Sequence, residues 1–277
     1  VLYRLFAMVG VAMAATFLLG EFTANYSQVD KLWSILPIGY VWVVAHAGDY
    51  SPRLLLMALL VSLWGIRLTA NFALKGAYQW KFWEGEEDYR WKILRAKPEF
   101  QPRWKFTLFN LFFICGYQNV LILLFTLPAV VALQYKELPL GPLDYLAAAA
   151  MLFFILFETL ADRQQWIFQQ AKKSQNPRAG MQDGEITKGF LDKGLWSLSR
   201  HPNYFAEQGI WICFYFFGAA CSGQWFNWSI TGALLLLVLF KASSDFSEEI
   251  SAGKYPEYKT YQKEVPRFWP LGKYKKE

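Results

Sequence analysis

The sequence predicts an all-α polytopic membrane bundle of about seven transmembrane helices. It reads as one integral domain over residues 1–277, N-terminus outside and C-terminus cytoplasmic. Three observations predict this. Hydrophobic residues make up 55% of the chain against 18% charged, a balance too apolar for a soluble domain of this length. The apolar residues fall into runs of roughly 20, enough at about 1.5 Å per residue to cross a hydrocarbon core of about 30 Å. The basic residues, finally, alternate from loop to loop.

The first span is read over 4–20. Arg4 ahead of an apolar stretch with Ala-Met-Ala-Ala imitates a secretion signal, but the run continues through Phe17-Leu18-Leu19, which favours a span. Further spans follow at 33–49, 54–75, 106–133, 142–162, 204–222 and 226–242, with a tail over 243–277. The fourth is overlong, which implies a tilt or a break near Gly116 or Pro128. Residues 75–105 hold eight Lys/Arg, residues 163–200 seven, and the chain beyond Phe240 eight. The alternate loops 50–53, 134–141 and 223–225 hold only Arg53 and Lys136. By the positive-inside rule the basic loops and the C-terminus are cytoplasmic, which requires an odd number of spans.

Topology thus accounts for the net charge of +6, and a nucleic-acid interface, which needs cations on a soluble surface, is excluded. Cys115, Cys213 and Cys221 all lie in apolar runs and read as small packing residues, not as a disulfide framework or zinc site. With His46 and His201 the only histidines, no multi-histidine metal centre is available. The chain has no Gly-x-Gly-x-x-Gly after a strand, no Walker sequence and no His-Glu-x-x-His.

Ionisable groups within apolar spans are costly and become functional candidates. Arg67 is one. Glu158 and Asp162 lie one helical turn apart, with Gln165 continuing their face. Glu207 lies inside the sixth span, and Asp245, Glu248 and Glu249 follow the seventh. The plainer reading of each is an interfacial group snorkelling to water or paired with a neighbour. The densest constellation is Ser199-Arg200-His201-Pro202-Asn203-Tyr204-Phe205-Ala206-Glu207. Pro202 suits a helix start, and Arg200 and His201 then precede the positive end of the helix dipole, where an anion is favoured. Asn203, Glu207 and Trp211 recur every fourth residue, a stripe able to hold a nucleotide by hydrogen bonds and stacking.

Arg200-His201-Pro202-Asn203-Tyr204-x-x-Glu207, with Tyr255-Pro256-x-Tyr258-x-x-Tyr261 and Val265-Pro266-Arg267-Phe268 in the tail, resembles the membrane steroid 5α-reductase and sterol reductase family, in particular its bacterial members. Asn25-Tyr26-Ser27-x-Val29-Asp30-x-x-Trp33, Leu63-Trp64-Gly65-x-Arg67, Gly85-Glu86-Glu87-Asp88-Tyr89-Arg90 and Glu158-x-x-x-Asp162 spread the likeness over most of the chain. The Arg-His-Pro element and the tail are shared with isoprenylcysteine and phospholipid methyltransferases. An S-adenosylmethionine-dependent lipid methyltransferase is therefore the alternative.

The resemblance implies a seven-helix bundle in the bacterial inner membrane, a monomer among membrane lipids and without a metal. NADPH would enter from the cytoplasm and a 3-oxo-Δ4 steroid, or related enone lipid, from the membrane. Hydride would pass to C5 while an acid polarises the 3-keto oxygen. That acid matches Asp30, a lone acid among apolar and aromatic residues at the start of the second span. The family's tyrosine aligns with Trp64, with Arg67 nearby, and Tyr26 is a substitute. Cofactor contacts are expected from Glu158, Asp162, Gln165, Asn203, Tyr204, Glu207 and Trp211, with Arg178, Lys188, Arg200, His201 and Lys241 near the phosphates. A carboxyl in a dry pocket has its pKa raised and can donate a hydrogen bond to a developing enolate.

Overall fold

A computed structural model describes residues 1–174 and 183–271, and those residues are helical, with no strand among them. Among the described residues, five helical runs are long and apolar enough to cross a membrane: Leu2–Thr23, Pro52–Leu74, Arg103–Gln134, Pro142–Ser174 and Ile230–Lys254. Their outer faces carry the residues a soluble protein would hide. Phe6, Val11 and Leu18 in the first and Leu146, Phe153, Leu156 and Leu160 in the fourth are all exposed, as a lipid-facing surface requires. The chain divides into two compact units, Val1–Ala149 with Ile212–Leu236, and Ala150–Trp211 with Leu237–Glu277.

The first unit opens with α1 (Leu2–Thr23), the five-residue α2 (Gln28–Leu32) and α3 (Leu36–Ala47). The expected second span, 33–49, is thus a shorter, 12-residue helix and is not one of these five. Helix α4 (Pro52–Leu74) lies against α3 at Gly65, where a Cβ would sit 2.5 Å from the Ser34 carbonyl oxygen and 2.6 Å from Ile38. Glycine permits that approach, and two side-chain bonds follow it: Ser34 Oγ to Thr69 Oγ1 at 2.7 Å and Trp42 Nε1 to Ser62 Oγ at 2.9 Å. After α5 (Tyr89–Ala96) the overlong span is one run in pieces: α6 (Arg103–Phe109), a π-helical stretch over Asn110–Tyr117, α7 (Gln118–Thr126) and α8 (Pro128–Gln134). Both anticipated break points are used. Gly116 lies in the wide π segment, and Pro128, which has no N–H to donate, starts a new helix.

The loops of this unit gather at two ends. At one, Lys136 Nζ lies 2.6 Å from Asp49 Oδ2. There Arg53 holds Asp144 through Nε and Nη2, at 2.8 and 2.9 Å, and donates to the carbonyls of Leu138 and Pro139. At the other, residues 25–31 bond residues 78–91. The connections therefore alternate, as successive crossings require.

Helix α9 (Pro142–Ser174) has 33 residues, about 50 Å at roughly 1.5 Å each, so it extends well past the expected end at 162. The boundary between units falls within α9, α11 (Pro202–Ser222) and α12 (Ile230–Lys254). The expected sixth span, 204–222, lies within α11, which is not one of the five. The expected seventh, 226–242, starts at Ile230 and continues to Lys254.

In the second unit the short α10 (Asp183–Lys188) and α13 (Tyr258–Glu264) accompany the three long helices. Phe190, Tyr258, Tyr261 and Val265 form an aromatic cluster there. Gly209 of α11 lies flat against the Phe154 ring, where a Cβ would come within 2.7 Å.

Candidate functional site

Asp30 is the third residue of α2, so its carboxyl does not cap a helix. It accepts a hydrogen bond from the Trp91 indole N–H at 2.9 Å. Nor is it a lone acid. Burial pushes its pKa up, and the nearby Asp88 carboxylate pushes further, against the Trp91 bond and the charge of Arg90. Asp88 is the N-cap of α5, accepting from the Arg90 backbone N–H and from its Nε and Nη2 at 3.0 and 2.8 Å. Its own N–H reaches Ser27 Oγ at 2.9 Å. Two motifs some sixty residues apart thus close on each other.

Lys31, which sequence reasoning missed, holds that closure. Its side chain is fully buried, and Nζ donates to the carbonyls of Phe82 and Glu84 at 2.7 and 2.6 Å and to Gln28 Oε1 at 3.4 Å. The signal was a lysine beside Asp30 at the edge of the expected second span. Tyr26 is buried with its ring edge-on to Phe106 and the Arg95 guanidinium 5.1 Å above it. Its backbone N–H donates to Glu87, which also takes Arg95 at 3.2 Å. Burial raises the Tyr26 phenol, and Glu21 adds to it. Trp64 and Arg67 stand on α4 instead, Trp64 fully buried beside Gly65 and Arg67 half-buried. An open polar groove of about 840 Å³ adjoins the loop cluster, lined in part by Asn25, Glu86, Glu87, Lys92 and Arg95.

The expected cofactor residues belong to the second unit, except Arg178, which lies outside the described residues. Asn203 Nδ2 donates to Asp162 Oδ1 at 3.3 Å, joining the start of α11 to α9, and Glu158 is buried one turn from Asp162. Asn203 Oδ1, Gln165 Oε1 and Trp166 Nε1 are buried atoms with no hydrogen-bond partner among the described residues, a cost of about 1–3 kcal/mol each unless something satisfies them.

Other candidates are committed elsewhere. Arg200 and His201, expected at an anion site, are turned onto Glu248. Arg200 Nε and Nη2 reach its oxygens at 2.8 and 3.1 Å, and His201 Nε2 at 2.9 Å. Arg200 Nη1 donates to the carbonyls of Gln262 and Val265. The backbone N–H groups of residues 200 and 201 bond the carbonyls of Pro266 and Arg267 at 3.0 and 2.9 Å. The Arg-His-Pro element is thus a clasp on the tail. Burial depresses the His201 pKa despite Glu248, and because a carboxylate only accepts, Nε2 is the donor toward it. Tyr204 stacks on that ring, 5.2 Å between centroids. Trp211, expected as a stacking plane, is buried, and its N–H closes on Glu207 at 3.0 Å. Lys241 is exposed and pairs with Asp245 at 2.6 Å, and Lys188 pairs with Asp192. The three cysteines are buried and unbridged.

The family profile described as "Protein of unknown function (DUF1295)" matches residues 16–265. An uncharacterized protein of Schizosaccharomyces pombe is 37% identical over 278 residues, covering 94% of this chain and 79% of that protein. No solved structure matches. The chain belongs to the DUF1295 family.

Proposed function

We propose that this DUF1295 chain is an NADPH-dependent reductase of an enone lipid, of the 3-oxo-Δ4 steroid class, crossing a bacterial inner membrane seven times with its basic loops in the cytoplasm. The observation that carries the reading is Asp30: a carboxyl desolvated beside a second acid and held in place by Trp91. Burial and Asp88 push such a carboxyl toward its protonated form, in which it can donate a hydrogen bond to a ketone oxygen as negative charge develops on it. Trp91 fixes its direction, so little reorganisation is needed during reaction. The buried Tyr26 lies four residues earlier in the same cluster and shapes its apolar side.

NADPH, when bound, supplies the hydride that goes to C5, and a proton completes the saturation at C4. The residues suited to hold it are Gln165 and Asn203, whose unsatisfied polar atoms fit a ligand rich in hydroxyl and amide groups, with Asp162 bonded to Asn203 beside them. Of the cations expected at its phosphates, Arg200 is occupied by Glu248 and Lys241 is paired with Asp245.

The test is thermal unfolding of the detergent-purified protein with NADPH, NADH or S-adenosylmethionine. A ligand at a hundredfold its Kd stabilises by about 2.7 kcal/mol. NADPH is expected to raise the midpoint most, and to do so less in Asn203→Ala and Asp162→Ala. Stabilisation by S-adenosylmethionine alone would overturn the proposal in favour of a methyltransferase.

A further inference from the structure

The chain between α4 and α5 forms a closed loop whose tip is built to be exposed. Glu86 N–H bonds the Gly76 carbonyl at 3.1 Å and shuts the loop. Gly85 has a φ of +116°, and a Cβ there would lie 2.2 Å from the Ala77 carbonyl oxygen, so the closure needs glycine. Four consecutive carbonyls are then held from beneath. Lys31 takes those of Phe82 and Glu84, Gln28 Nε2 that of Trp83 at 3.0 Å, and Asn25 Nδ2 that of Gly85 at 3.0 Å. With its backbone tied down, the loop turns its large side chains outward: Trp80 is 102% exposed and Trp83 44%.

A solvent-facing loop would not spend buried hydrogen bonds on displaying two tryptophans. The loop lies between two membrane-crossing candidates: α4 ends at Leu74, and the next run begins at Arg103 with Trp104, 62% exposed. Tryptophan at the end of a span is characteristic of the bilayer interface, where an apolar ring and a polar N–H are both satisfied. Charge does not compete, because Lys81 and Glu84 pair at 3.2 Å within the loop.

We propose that residues 79–83 are an interfacial membrane anchor, seating Trp80 and Trp83 at the boundary between lipid headgroups and acyl chains. The anchor holds Asp30 and Trp91, which share the same loop cluster, close to the membrane surface. Its drive is aromatic area, so it requires no anionic lipid.

A spin label tests this, because Trp80→Cys adds one accessible thiol to a chain whose own three cysteines are buried. The label at 80 and one at the exposed Glu86→Cys are compared in phosphatidylcholine nanodiscs through collisions with oxygen and with a water-soluble nickel chelate. The expected oxygen-to-nickel ratio at 80 is several-fold that at 86, unchanged when phosphatidylglycerol is added. An equal or lower ratio at 80, insertion that needs phosphatidylglycerol, or shielding of the label from both reagents would overturn the anchor. Trp80→Cys should unfold in detergent at the wild-type temperature, and a clear fall would show instead that Trp80 packs on the protein.

Discussion

Replacing Glu248 by glutamine should unlatch the C-terminal tail. The carboxylate is 2% exposed and accepts four bonds, two from Arg200, one from His201 and one from Gln262, all between 2.8 and 3.1 Å. Glutamine keeps the volume but removes the charge opposite Arg200. It also points an amide N–H₂ at groups that are themselves donors. Removing one partner of a buried ion pair costs about 3–5 kcal/mol, because the other charge stays behind uncompensated. At about 2–4 °C per kcal/mol for a chain of this size, the unfolding midpoint should fall by roughly 6–20 °C. The exposed neighbour is the control: Glu249→Gln should move the midpoint by no more than the ~0.5 kcal/mol typical of surface changes. Limited proteolysis should then cut first between residues 255 and 271 in the Glu248→Gln variant. Equal midpoints for the two variants would refute the clasp.

Lys31→Met should cost about 3–6 kcal/mol, since two short bonds from an ammonium to buried carbonyls are lost, and should expose residues 76–88 to protease. Asp30→Asn should stabilise the fold increasingly as pH climbs. A carboxyl whose folded pKa is raised contributes most below the unfolded value of 3.8 and loses that contribution as pH rises toward its folded value. Wild-type and variant melting curves should therefore converge near pH 4 and separate above it, and the opposite trend would contradict the Asp30 environment. Gly65→Leu should destabilise by about 1–3 kcal/mol or more against Ser34 and Ile38, whereas Gly10→Leu, with nothing within 4 Å, should be tolerated.

What was legible in the sequence was what hydropathy controls. The expected spans 4–20 and 54–75 lie close to Leu2–Thr23 and Pro52–Leu74, because their ends coincide with turn residues and charge. Within 33–49 the helix is shorter than the apolar run, because the chain turns at residues 33–35 before α3 begins, and hydropathy does not register such a turn. The end of α9 was invisible to the same measure, since its last turns are polar yet continue the helix. Asp30 and the Glu-Asp-Tyr-Arg loop each stand out in the sequence, but their meeting through Trp91 and Lys31 is a contact across some sixty residues that no local pattern encodes. Arg200 shows the converse. Beside a helix start it reads as an anion site, and only the fold reveals that Glu248 and the tail carbonyls take its N–H groups.

The most direct test of the reductase account is isotope transfer. Membranes carrying the protein are incubated with progesterone and NADPH bearing deuterium at the transferable position of the nicotinamide. The account predicts a 5α-reduced product with one deuterium at C5. It also predicts a rate lower by ~10²–10³ for Asp30→Leu, the usual cost of losing one preorganised donor to a developing oxyanion. Product without deuterium at C5, or a methylated lipid formed from S-adenosylmethionine in its place, would contradict it.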